Sequence, residues 1–462
     1  MSKTNLGKRT AVNLFIGIFL QAMIALAFDT GGIVSGVIAS FLMDTQKIKW
    51  IVLIYGPLLA ARGDIAVLAG KLGTGLHLGT VKPTFRKNTP VYRSLLASTL
   101  TIAMLDAFLV GIVTYVMNLL TFPVGVRVVN PTLFLVIPIL VMALTAILST
   151  QITSAVSFFV YKRGLNPDVY VVPVMSTTNN ILITLIYAGV LAVLKPWGGE
   201  ITVEGVGQVF AVANTDQLLG TYIAIIPAIL AVGGIIFVIV KNIKDFEYKK
   251  MMKEAIFAVF ASAIIGTITG VVLSKGEAAL ELYPQLLVAF PALIGTVVDQ
   301  NAIFANILIT DFSAGYVEPE VKSAKKPKVW ASFLGIGAGG LVVTLFLGVI
   351  GTLIKIKNVK IISTELGIAI IWLILLVMVV TILANVLAFL IVGALIFLLS
   401  IFAFRKEIDP DNFAIPLTAC LADMITAGFI IIFSFAMLPG VGGGQEVATE
   451  AIRNFASTLG LF

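Results

Sequence analysis

The chain has 462 residues, of which 59% are hydrophobic and 12% charged, and it carries a formal net charge of +7. Globular proteins are on average about twice as charged, so an ordinary soluble globule is excluded. One cysteine (Cys420) and one histidine (His77) leave no disulfide framework, no Cys/His zinc site and no His-based catalytic relay. The positive charge points to basic cytoplasmic loops of a membrane protein and not to nucleic acid.

Apolar runs long enough to cross a hydrocarbon core of about 30 Å as helices recur along the whole chain. The expected fold is an all-α polytopic membrane protein in a cell membrane, because the alternating segments of about ten residues that a β-barrel needs do not repeat. Spans are expected over residues 11–42, 51–77, 94–121, 131–161 and 168–195. A single span follows at 219–240, then 251–274, 283–310, 329–354, 374–404 and 412–438, making eleven. The first run, Ala11 to Met43, is too long for a cleaved signal peptide. Ile361 to Trp372 reads either as an interfacial helix or as part of one long tilted helix. With the N-terminus inside, twenty basic residues, Lys82, Arg86, Lys162, Lys322 and Arg405 among them, fall on the cytoplasmic side and nine on the other. That bias places the C-terminus outside; Lys355, Lys357 and Lys360 fit it worst.

Two internal matches frame the chain. KRGLNPDVYVVPVMSTTNN (Lys162 to Asn180) has the layout of RKEIDPDNFAIPLTACLAD (Arg405 to Asp423), with Pro167, Pro173 and Asn180 spaced as Pro410, Pro416 and Asp423. GDIAVLAGKLGTGLHLG (Gly63 to Gly79) aligns with DQNAIFANILITDFSAG (Asp299 to Gly315), preceded by Pro57 and Pro291. Offsets of 243 and 236 residues describe one duplicated five-span unit. The expected division is 1–197, a linker with a connecting helix at 198–245, and 246–462. An odd number of spans would invert the second unit, and the lone helix restores it, so the halves are expected to be parallel repeats about an axis along the membrane normal. Such a pseudo-dimeric monomer places a shared path on that axis, with Asn180 and Asp423 facing each other across it.

Ser35 to Gly79 resembles the start of an MgtE-type transmembrane domain and is closest to the tandem version in solute carrier family 41. Gly63-Asp64 and Ala69 to Thr74 stand at that family's motif positions, and the Asp-Pro, Pro, Asp pattern of 409–423 resembles the domain's last helix. The resemblance covers the chain as two units. It implies a divalent-cation transporter, with Mg²⁺ the usual substrate; the absence of a His/Cys metal site or a nucleophile–base motif argues separately against an enzyme, and no cofactor is expected. The resemblance also implies that the metal-facing acid is Asp423 in the second unit, where the first has Asn180. No stretch of the chain would house the cytoplasmic magnesium-sensing domains of bacterial MgtE proteins.

An acid deep in an apolar helix is costly to bury. Asp423 reads as a cation ligand or selectivity charge, or else as a carboxylate paired with a buried base for packing. Mg²⁺ sheds water reluctantly, so one or two carboxylates with amide or backbone oxygens suffice, and an Asp423/Asn180 pair supplies both. Having one negative charge fewer than a two-Asp site, it should hold a dication less tightly. Asp64 reads either as lining the path, with Lys71 at its mouth, or, like Arg62, as pairing with neighbouring helices. Asp299 and Asn301 are the next metal-ligand choices. Asp311 is expected at the cytoplasmic surface. Asp29 and Asp106 are further intramembrane acids without counterparts in the other unit. Glycines such as Gly335 to Gly340 are expected to permit close helix packing, and Cys420 to fill space. The rival reading is an H⁺- or Na⁺-coupled carrier of another solute, using Asp64, Asp106 or Asp423 as the coupling acid.

Overall fold

The structure, a computed structural model, describes residues 3–42, 49–121, 131–165, 167–194, 199–203, 207–211, 216–313, 315–367, 369–406 and 410–439. Helix α1 (Lys3–Leu26) leads through a 3₁₀ turn (Ala27–Gly31) into α2 (Gly32–Leu42). Then come α3 (Lys49–Ala60), α4 (Arg62–His77), α5 (Pro90–Thr121), α6 (Pro131–Lys162) and α7 (Pro167–Leu194). A short antiparallel hairpin, β1 (Gly199–Val203) with β2 (Gly207–Ala211), precedes α8 (Asp216–Asn242), α9 (Phe246–Lys275) and α10 (Glu277–Leu282). The chain continues through α11 (Pro284–Ser313), a 3₁₀ turn (Val321–Lys325), α12 (Pro327–Ile354), α13 (Ile356–Leu366), α14 (Ile370–Arg405) and α15 (Pro410–Met437).

Among the described residues, ten segments are long and apolar enough to cross a membrane, and the protein is an all-α polytopic membrane protein. The eleventh expected span, 51–77, is divided into α3 and α4, neither long enough alone. The division is slight. Ala61 keeps right-handed helical angles (φ −59°, ψ −14°), and its N–H still donates to Pro57 O at 2.9 Å. The stretch 361–372 is divided, residues up to Leu366 belonging to α13 and 370–372 opening the following span. α13 ends on Gly367 in the left-handed region (φ +64°), and α14 starts afresh at Ile370. Glycine takes that conformation without the Cβ penalty other residues meet, so the chain turns there. Asp311, expected at the cytoplasmic surface, is instead buried near the end of α11, because Lys328 Nζ lies 2.6 Å from its Oδ1 and covers the charge. Lys47, Arg127, Lys195 and Arg453, used in the charge count, lie outside the described residues.

Several helix starts follow from proline. α5, α6, α7, α11, α12 and α15 each begin on one, where the missing N–H costs nothing and the fixed φ suits a first turn. α7 and α15 both run for 28 residues and carry an internal proline, Pro173 and Pro416, at the same register. The duplicated spacing thus appears as two helices of one length and one design.

The helices sort into two compact units. One holds α1, α2 as far as Gly36, α10 to α14, and α15 from Leu421 onward. Its centre is α11, whose most apolar stretch is wholly buried, packed by α12 and α14. α1 lies along α12, where a Cβ added to Gly335 or Gly339 would come within about 3 Å of the α1 backbone at Phe15 O (3.1 Å) or Met23 N (3.0 Å). Small residues permit that approach where no water drives the helices together.

The other unit holds the rest of α2, α3 to α9, and the start of α15 through Cys420. α5, α6 and α7 pack in sequence, α4 packs against α7, and α8 lies on α5 and α6. Only 11% of α8's most apolar stretch is buried, as suits a peripheral helix facing acyl chains. α9 joins α5 through Tyr248 Oη donating to Thr101 Oγ1 (3.1 Å) and Ser98 Oγ donating to Met251 Sδ (2.8 Å). One apolar cluster joins Leu68, Leu72, Leu95, Phe158, Met251 and Val259 from four helices.

The compact units therefore differ from the sequence repeats. The opening helix of the first repeat, α1, packs with helices of the second, and the opening helix of the second, α9, packs with helices of the first.

Candidate functional site

Within the unit built on α3 to α9, α4 and α7 bring together Arg62 and Asn180. Both side chains are buried, at 2% and 1% exposure. Arg62 Nη1 donates to Asn180 Oδ1 at 2.9 Å. Thr184, one turn on, spends its only proton on Asn180 O (2.7 Å), so its Oγ1 accepts from Tyr55 Oη (3.0 Å). Tyr187 Oη in turn donates to Ile51 O at 2.9 Å, and its ring stacks on Tyr55 at 6.1 Å. Next to Asn180, Asn179 Oδ1 accepts from Ser149 Oγ at 2.5 Å. The position sequence reasoning singled out is thus the centre of a polar seam joining α3, α4, α6 and α7.

Gly63 follows Arg62, and a Cβ there would meet Ala419 Cβ at 3.3 Å and Pro416 Cα at 3.9 Å. The start of α15 therefore leans directly on α4. Asp64 lies in α4, but its side chain falls outside the described residues. Cys420 is buried, and beyond filling space its Sγ donates to Ser262 Oγ at 3.2 Å. His77 packs edge-on against Tyr161, with centroids 5.9 Å apart.

In the unit centred on α11, three consecutive polar residues, Asp299, Gln300 and Asn301, are all buried. Gln300 Oε1 accepts from Asn385 Nδ2 of α14 at 3.0 Å. Asn301 Nδ2 donates back to Val297 O at 2.7 Å, which leaves Asn301 Oδ1 without a hydrogen-bond partner among the described residues. That oxygen lies 3.4 Å from where a Cβ on Gly393 would be. A buried oxygen acceptor of this kind is costly unless something completes it, and a hydrated cation is one group that does. Asp423 belongs to the same unit, 1% exposed on α15 with Thr426 one turn beyond. Asp29, on the turn after α1, and Asp106, in α5, are also buried.

Sequence reasoning named Asn180, Asp299, Asn301 and Asp423 as ligands, and the structure places all four in helix interiors away from solvent. Asp299 and Asn301 both lie on α11 but two residues apart, on different faces of that helix, and Asn180 and Asp423 belong to different compact units. The pairing of Arg62 with Asn180 was not foreseen, and nor was that of Gln300 with Asn385. A signal for the first existed in the repeat: the register that aligns Gly63 with Asp299 aligns Arg62 with Val298. The first repeat thus has a cation beside a neutral amide where the second has an apolar residue and a carboxylate. Among the described residues, no three His, Cys, Asp or Glu side chains gather as a metal cluster.

Comparison with curated proteins and with solved structures gives no match. A family model described as MgtE, divalent cation transporter, matches residues 57–190 and 290–435. Those two matches cover more than half of the chain and take in both copies of the duplicated helix, α7 and α15. The chain therefore belongs to the MgtE family of divalent cation transporters.

Proposed function

We propose that the protein carries Mg²⁺, as its transported substrate, along a path between its two repeats, with Asp423 as the principal protein ligand near mid-membrane. The observation that carries this reading is the burial of Asp423: 1% exposed, and about 20 Å along α15 from Pro410 at 1.5 Å per residue. A carboxylate at that depth is costly to bury and reads first as a functional group. Asn180, Asp299, Asn301 and Asp64 are the supporting oxygen ligands in this reading. Ligands this sparse suit an ion that keeps most of its waters, and they disfavour selection of softer metals. The duplication supports a monomer working as a pseudo-dimer, and the charge bias supports a cytoplasmic N-terminus and an external C-terminus.

Uptake of Mg²⁺, Co²⁺ and Ca²⁺ into proteoliposomes bearing wild type or Asp423→Ala tests the assignment. Loss of at least tenfold in Mg²⁺ uptake is expected, and uptake unaffected by the substitution removes Asp423 from the path. A second reading, an H⁺- or Na⁺-coupled carrier of another solute, draws on the burial of Asp106. It requires Mg²⁺ uptake to be absent, with an imposed proton or sodium gradient driving another substrate.

A further inference from the structure

On the α11-centred unit, the 3₁₀ turn at Val321–Lys325 and helices α11, α12 and α14 enclose a groove of about 350 Å³. That volume lies within the roughly 300–1,000 Å³ of small-molecule sites. Its lining is apolar throughout, from Val321 and Trp330 at one end to Leu390 and Gly393 at the other. Phe333 forms its wall, stacked on Phe389 at 4.6 Å and flanked by Phe304 and Trp330 at 5.1 and 5.9 Å. Along α14 the groove runs from Leu398 to Leu390, about 12 Å at 1.5 Å per residue, and both residues are exposed on the apolar flank of a membrane-spanning helix. The medium against such a flank is acyl chain and not water.

The end of the groove near the helix termini is basic. Val321 and Ala324 line it, and the same turn carries Lys322 and Lys325, both exposed, with Lys326 next in the chain. None of these three lysines forms an ion pair among the described residues, whereas their neighbours Lys328 and Arg405 are matched to Asp311 (2.6 Å) and Glu320 (3.9 Å). Trp330 stands half-exposed at that end, the position at which indoles mark a membrane–water interface.

We propose that this groove is a binding site for one anionic phospholipid, its acyl chain lying along Phe333 and Leu390–Leu398 and its phosphate held by Lys322, Lys325 and Lys326. Charge complementarity selects this occupant. A zwitterionic lipid satisfies the apolar wall but leaves three unmatched lysines, and basic pockets between spanning helices on the cytoplasmic side recognise anionic headgroups. The groove borders one proposed cation ligand, since Gly393 of its lining lies against Asn301 Oδ1, but its existence does not depend on which ion is carried.

Trp330 supplies the readout. Full-length, delipidated protein is titrated in detergent with phosphatidylglycerol or phosphatidylcholine bearing the same brominated acyl chains, and tryptophan quenching is followed, with Trp330→Phe defining the local signal. The expected result is tighter binding of phosphatidylglycerol by at least about fivefold, on the scale of one surface lysine. Replacing Lys322, Lys325 and Lys326 by Gln should abolish the preference, and replacing them by Arg should retain it. Ala394 is exposed and lines the groove, so Ala394→Trp, read by native mass spectrometry, should weaken binding of both lipids. Glycerol 3-phosphate at the same concentrations should not compete, because it lacks the chain. Equal affinity for the two lipids overturns the proposal. So does a preference that survives the Gln variant, full competition by glycerol 3-phosphate, or an Ala394→Trp variant that changes oligomeric state while binding both lipids as before.

Discussion

The bond between Arg62 and Asn180 permits a quantitative test of how the first repeat is held together. Interhelical hydrogen bonds in membrane proteins average about 0.6 kcal/mol by double-mutant cycle, with a maximum near 1.7. A charged donor roughly doubles a neutral bond. Arg62 Nη1 and Asn180 Oδ1 are 2.9 Å apart, and both residues are buried, so water competes weakly. Coupling of about 1.5 kcal/mol is expected from a cycle of Arg62→Met, Asn180→Leu and the double variant. Asn180→Leu alone should be costly because it strands a guanidinium N–H, and part of that loss should return when Arg62 is also replaced. SDS-induced unfolding in mixed micelles, followed by circular dichroism at fixed detergent mole fraction, gives the four stabilities. Coupling below about 0.5 kcal/mol, the level at which independent sites simply add, would refute the pairing as a stabilising contact.

Rebuilding the first repeat in the image of the second bears on transport. Asn180→Asp alone should alter divalent affinity only weakly, because the new carboxylate pairs with Arg62, whereas Asn180→Asp with Arg62→Val should raise affinity for Mg²⁺ by severalfold; titration of uptake against [Mg²⁺] decides it, and identical curves for the two variants would exclude Arg62 as the cause. Gly36→Val should unfold or prevent assembly of the α11-centred unit, since even a Cβ at Gly36 would lie 1.9 Å from Val288 O; recovery of monodisperse, normally stable protein would contradict that contact. Gly70→Ala, by contrast, meets nothing within 4 Å and should be neutral or stabilising by up to about 1 kcal/mol, read as a raised unfolding midpoint. Gly367→Ala should cost about 1–2 kcal/mol, because φ is +64° there, and the loss should appear in the same denaturation series.

Much of the molecule was legible in its residues, for physical reasons that act locally. A bilayer demands about twenty apolar residues per crossing, so the spans are visible as runs, and proline at a first turn marks where α5, α7, α12 and α15 begin. The matched prolines of 162–180 and 405–423 announced two helices of equal length. Asp423 and Asn301 stood out because polar groups in such runs are rare and expensive. The break at Ala61 and the separate α13 were less visible, because apolar composition alone does not distinguish one long helix from two short ones.

By itself, then, the sequence determined the class of protein, the course of its spans, the duplication and the polar residues that interrupt its apolar helices. Only the tertiary structure decided which helix each span packs against. It placed α1 with α12, and α9 with α5, exchanging the opening helices of the two repeats. It also seated the Arg62 guanidinium on Asn180. The physical reason is the solvent. In water, an apolar stripe on a helix states which face turns inward; in lipid, every face is apolar, and the partner is chosen by close packing at small residues and by a few buried hydrogen bonds. Those contacts join residues more than a hundred positions apart, and no local pattern in the chain records them.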